Sequence, residues 1–183
     1  MSESRGKSIT FYYYGNDHMT INLYKYIKTN IENNVFMYLN LEDKTYDLLN
    51  EFLQNTEKLM VKNDSIQNVI FEDEKYVLED FLKRYRDDKI SLGFYNVIFV
   101  IDARYIIENS SKEVFKKLIE NIYEITLNND ITVLVLYDFE DYTRDAKYID
   151  KEIIRLSYDK HSHRMFVNEI IPMYEFVNTK SLA

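Results

Sequence analysis

The sequence predicts an α/β domain of three layers, a mainly parallel sheet flanked by helices, and three observations carry that prediction. Two strongly apolar runs, Val97 to Ile101 and Ile131 to Tyr137 (the second interrupted only by Thr132), are rich in β-branched residues and are each followed by a carboxylate, Asp102 or Asp138. Runs apolar at every position suit parallel strands buried on both faces. Segments with helical spacing alternate with such runs along the whole length, the pattern of βαβ units. Finally, 183 residues contain only three Gly and one Pro, so little of the chain is left for irregular loop. That length suits one domain with a sizeable core, and residues 1–183 read as a single unit with its core at about 7–175.

Taken in order, Ser8 to Tyr14 reads as the first strand, closed by the turn cluster Gly15-Asn16-Asp17. Asp17 is placed to cap a helix over about 18–33, where Ile21, Tyr24, Ile27 and Ile31 keep helical spacing. Val35 to Leu39 is the second buried strand, and a helix follows from Leu41 to about Met60. Val61 to Gln67 reads as a polar connection, Asn68 to Phe71 as a short third strand, and Glu72 to Asp88 as a helix. Val97 to Asp102 is expected at the centre of the sheet. A helix over about 111–128 then starts at Ser110 or Ser111, and Ile131 to Tyr137 is the next buried strand. A helix over about 143–157, an edge strand at Arg164 to Val167 and a loosely determined end from Pro172 complete the chain.

Composition narrows the function. The formal net charge of −8 gives no support to nucleic-acid binding, which depends on Lys and Arg neutralising phosphates. With no Cys, disulfides, thiolate metal sites and cysteine nucleophiles are excluded. No apolar run approaches the roughly 20 residues that span a bilayer, and the polar start resembles no signal peptide, so a cytoplasmic protein without membrane contact is expected.

In open α/β sheets ligands bind beyond the carboxyl ends of the strands, which directs attention to Asp102, Asp138 and their neighbours. The loop after the first strand, Tyr14-Gly15-Asn16-Asp17-His18, has one Gly, no Lys and a carboxylate that repels phosphate. A phosphate loop needs the opposite, so conventional ATP or GTP hydrolysis is not expected. Asp102 resembles the magnesium-binding Asp of phosphate-loop enzymes, yet the same residue suits a helix cap or an ion pair with Arg104. His18, His161 and His163 are the only histidines, and their spacing requires no metal site. Glu140, Asp141 and Asp145 suit a solvated helix start as well as carboxylate chemistry. No Gly-x-Ser-x-Gly elbow is present, so no catalytic residues are assigned and no cofactor is called for. Seventeen Tyr and eleven Phe are the compositional oddity. Most suit the core, but Tyr14, Tyr105 and Tyr137 stand at strand ends, where they could line a pocket for a small organic molecule.

Several segments together resemble the MEDS family, sensory domains named after methanogen and methylotroph DcmR-type regulators. The likeness lies in Ile9-Thr10-Phe11-Tyr12-Tyr13-Tyr14, Val35-Phe36-Met37-Tyr38-Leu39, the Val97–Asp102 strand, the helix bearing Glu120, and Val133 to Asp138 with His161 beyond it. The match covers about residues 7–175 through diffuse motifs. The resemblance implies a RecA/KaiC-like fold that has lost its phosphate loop, and a role in sensing small organic molecules beside an output module. The sequence departs from the pattern at Ser8, where the family often has His, and in having no Cys before Tyr137-Asp138. No output module follows in this sequence, which implies a signal leaving through a partner.

The resulting expectation is a non-enzymatic cytoplasmic sensor or regulatory domain, binding a small organic ligand or signalling partner at the carboxyl edge of the sheet. Its expected ligand-binding residues are Tyr14, His18, Asp102, Arg104, Tyr105, Tyr137, Asp138 and His161. A homodimer is compatible with that reading. The alternatives are a ligand-free protein-interaction module regulating a kinase or transcription factor, since Tyr is enriched at interfaces, and a metal-dependent hydrolase.

Overall fold

Strands and helices alternate through the computed structural model, which describes residues 6–71, 74–167 and 169–175. The strands are β1 (Ser8–Tyr13), β2 (Val35–Asn40), β3 (Val61–Asn63), β4 (Asn96–Asp102), β5 (Thr132–Asp138), β6 (His163–Phe166) and β7 (Glu169–Pro172). They form one sheet in the order β3-β2-β4-β5-β1-β6-β7, parallel throughout except for the β6–β7 hairpin. Every side chain of β1 and β2 is buried, as are all but the first of β4 and β5, which is why their runs are continuous rather than alternating.

Period-two alternation divides those side chains between two cores. On one face Ile9, Phe11, Leu134, Leu136, Ile98 and Val100 meet α1 (Gly15–Glu32) and α2 (Asp43–Phe52) through Met19, Leu23, Ile27 and Leu49. On the other, Tyr12, Phe99, Val133, Val135 and Tyr137 meet α5 (Lys75–Ser91), α7 (Lys112–Asn128) and α9 (Lys151–Lys160). The three-layer α/β class predicted from the sequence is therefore the observed one. Among the described residues, no helix is long and apolar enough to cross a membrane.

Several boundaries differ from expectation, each for a local reason. The third strand is β3, not residues 68–71, which instead form the helix α4 (Gln67–Phe71). Ile66 and Ile70 are both buried and four residues apart, a helical phase that the short apolar run conceals. β3 needs only one buried anchor, Val61, because it is an edge strand. Asn63 ties it to the end of β2, donating to the Leu41 carbonyl at 3.1 Å and accepting from its N–H at 3.0 Å. The helix expected from Leu41 to Met60 breaks at extended Leu53, and α3 (Asn55–Lys58) restarts behind a capping box of Gln54 and Glu57. β5, not β4, holds the middle of the sheet.

Asp17 lies in the first turn of α1 and does not cap it; the cap position is Tyr14. Ser111 does cap α7, accepting from the Val114 N–H at 3.2 Å. Two short helices were not anticipated: α6 (Ala103–Asn109) and α8 (Phe139–Arg144), each starting directly after a strand's terminal acid. Pro172, expected in an undetermined tail, ends β7, an edge strand where its missing N–H costs no ladder bond. The expected helix start at Glu72 lies outside the described residues, as does the chain beyond 175.

Candidate functional site

The same alternation that builds the cores decides what stands at the carboxyl edge. Ile98, Val100 and Asp102 share a phase, as do Leu134, Leu136 and Asp138, and Ile9, Phe11 and Tyr13. Tyr13, Asp138 and Asp102 therefore end three adjacent strands, β1, β5 and β4, and all three point to the α1/α2 face. Both acids are 5% exposed and Tyr13 is 3% exposed.

Each acid first serves the helix that follows it. Asp102 accepts the Arg104 N–H at 3.0 Å, and Asp138 accepts those of Glu140 and Asp141, both at 3.1 Å. Arg104 then crosses between strands: Nη1 donates to Asp138 Oδ2 at 3.0 Å, and its guanidinium lies over the Tyr148 ring at 5.3 Å. The ion pair anticipated for Asp102 with Arg104 is thus made by Asp138, while Asp102 keeps only the cap.

The Asp102 carboxyl is strongly perturbed. Burial pushes its pKa up to about 7, the N–H groups of Tyr105 and Arg104 oppose the rise, and the charge of Asp138 adds to it. Tyr13 has its pKa raised far above that of an ordinary phenol, first by burial and then by the charges of Asp102 and Asp138. Its hydroxyl has no hydrogen-bond partner among the described residues.

Tyr13, Asp102 and Arg104 border a cleft of about 270 Å³. Asn16 and Met19 close it from the start of α1, and Thr45 and Leu48 from α2. Glu42, Lys44 and Glu108 complete the rim. Glu108 also accepts from the Tyr148 hydroxyl at 2.9 Å. No protein-family model matches this chain, and no curated protein matches its sequence.

The expected site residues fall into three groups. Asp102, Arg104 and Asp138 come together, and Tyr105 is half-buried beside the charges of Glu42 and Asp43. Tyr14 and His18 lie near the same edge but outside the cleft. Tyr14 is 53% exposed with its ring edge-on to Phe139, and His18 Nδ1 accepts the Tyr14 N–H at 3.0 Å beside the Phe11 ring. Tyr137 and His161 belong to the other face. His161 Nε2 lies 2.7 Å from the Tyr137 hydroxyl and Nδ1 lies 2.6 Å from Ser8 Oγ, a closed chain of three buried groups with no path to the cleft. Burial drives the His161 pKa down to about 3, so the ring is neutral.

Sequence reasoning selected Tyr14 and missed Tyr13, Glu42 and Glu108. The signal for Tyr13 was strand phase: it pairs with Asp138 in the β1–β5 register and so must share its face. Among the described residues, no three His, Asp or Glu side chains converge where a metal ion could sit.

Proposed function

We propose that this chain is a non-enzymatic sensor or regulatory domain that takes a small organic ligand in the cleft at the carboxyl edge of its sheet. The supporting observation is that Tyr13 and Asp102, two nearly buried residues at the ends of β1 and β4, both line the wall of an open cleft. At an open cleft the Tyr13 hydroxyl offers a ligand a donor or acceptor, and the Asp102 carboxyl offers a second acceptor beside it. The volume lies just under the usual range for ligand pockets, which favours a small molecule. Asp17 in the first turn of α1 opposes a phosphate at that helix end, so a nucleotide is disfavoured.

The same reading places the chain beside MEDS-type sensory domains with a RecA/KaiC-like sheet, in the cytoplasm, passing its signal to a protein partner or a second copy. An open cleft supports this over a ligand-free interaction module, for which a closed and fully packed sheet edge would be expected.

The test is a small-molecule screen by NMR on the labelled protein. Hits should move the amides of Tyr13, Asp102 and Thr45 and weaken in Asp102→Asn. Hits confined to other surfaces, or ATP turnover abolished by Asp102→Asn, would overturn the proposal.

A further inference from the structure

We infer that the cleft selects a small organic cation, an alkylamine or related ammonium compound, whose nitrogen is held between the Asp102 carboxylate and the Tyr13 hydroxyl oxygen. This inference rests on the proposed function and adds the ligand's charge to it.

The charge balance is the first argument. Asp102, Glu42 and Glu108 face the cleft, against Lys44 and Arg104. Arg104 is already committed to Asp138, which stands directly behind it. Counting Asp138, four acidic side chains meet two bases, so the lining is net acidic and favours a cation over an anion.

Tyr13 is the second and independent argument. The residue is only 3% exposed, and it borders the cleft with its hydroxyl unpartnered among the described residues. A phenolic oxygen accepts a hydrogen bond from an ammonium N–H. Asp102 offers the neighbouring charged acceptor. The rest of the lining is mostly polar, with Met19 and Leu48 its aliphatic members, so the ligand's carbon chain is short.

The experiment titrates the labelled protein with 1-butylamine, 1,4-diaminobutane, 1-butanol, butyrate and inorganic phosphate, each at millimolar concentration. The amines should shift the amides of Tyr13, Thr45 and Asp102 to Glu108, while butyrate and phosphate leave them unmoved. Asp102→Asn should weaken amine binding by about tenfold or more, the loss of one charge-assisted hydrogen bond. Tyr13→Phe should weaken it by about threefold, as expected for a neutral bond. Glu108→Gln, on the exposed rim, should weaken it by about twofold and keeps the test alive if a core variant fails to fold. Butanol, butyrate or phosphate binding in the cleft as well as the amines do overturns the cation inference and leaves the ligand site standing. Amines that move no cleft amide also overturn it. Failure of the broader screen to find any cleft ligand removes the site itself.

Discussion

Arg104 Nη1 lies 3.0 Å from Asp138 Oδ2, so a residue two positions beyond the terminal acid of β4 clamps the terminal acid of β5. The clamp joins the starts of α6 and α8 at the edge where the cleft opens. Asp138 is nearly buried, its side chain 8% exposed, whereas that of Arg104 is 47% exposed, so solvent screens part of the attraction. Arg104→Met should therefore destabilise the protein by about 1 kcal/mol in urea denaturation at neutral pH. In a double-mutant cycle with Asp138→Asn most of that loss should vanish, because the partner charge is gone. Additive losses would mean that the two side chains do not interact.

Two buried tyrosines on adjacent strands should respond oppositely to loss of a hydroxyl. Tyr137 donates to or accepts from His161 at 2.7 Å, and removing its oxygen strands a buried imidazole nitrogen. Tyr137→Phe should cost about 1–3 kcal/mol. Tyr13 leaves no protein partner behind among the described residues, so Tyr13→Phe should be neutral or mildly stabilising, while ligand binding falls. Thermal melts of the two variants side by side check this contrast. A large loss in Tyr13→Phe would show that its hydroxyl is satisfied in the unliganded protein.

Gly15 sets the angle at which α1 leaves β1 and so positions Asn16 and Met19 on the cleft. Its φ of +71° lies in the left-handed region, and an added Cβ would also sit 3.2 Å from Glu140 Oε2, the end of a flexible side chain. Backbone strain then sets the cost, and Gly15→Ala should lose about 1–2 kcal/mol. Gly15→Asn should lose less, since Asn tolerates that region. Equal stability of all three proteins would place the turn in another conformation.

The sheet was legible because burial on both faces writes itself as unbroken apolar runs, as in Val97 to Ile101 and Val133 to Tyr137. β3 was not, because an edge strand with one buried side chain has the same composition as a polar loop. The acids of the cleft were legible as strand ends, but their division of labour was not. Nothing in the spacing of Arg104 says that it reaches Asp138 rather than Asp102, since that depends on β4 and β5 being neighbours. Tyr137 and His161 were drawn to the site by position along the chain, but strand phase sends Tyr137 to the opposite face, where His161 at the end of α9 meets it. The cleft wall from α2, with Glu42 and Thr45, depends on a helix-to-sheet crossover that no local pattern encodes.

Asp102 and His161 should give the stability curve opposing slopes in mildly acid solution. The Asp102 carboxyl is raised from 3.8 unfolded to about 7 folded, so between these values the folded state holds the extra proton and stability falls as pH rises. His161 is lowered from 6.5 to about 3, so the unfolded state takes the proton first and stability falls as pH drops through that window. Over the shared range, roughly pH 4 to 6.5, the two effects offset and the wild-type curve should be comparatively flat. Asp102→Asn removes one side of the balance. Relative to wild type it should gain nothing near pH 4, rising to on the order of 4 kcal/mol by pH 8, less what the weakened cap costs at every pH. The same variant should lose stability more steeply than wild type on acidification from neutrality, now that His161 acts unopposed. His161→Gln should show the converse, a protein that becomes more stable as pH falls from 7 toward 5. Urea midpoints across that range decide the matter, and parallel curves for wild type and Asp102→Asn would show that the Asp102 carboxyl is not held near neutrality.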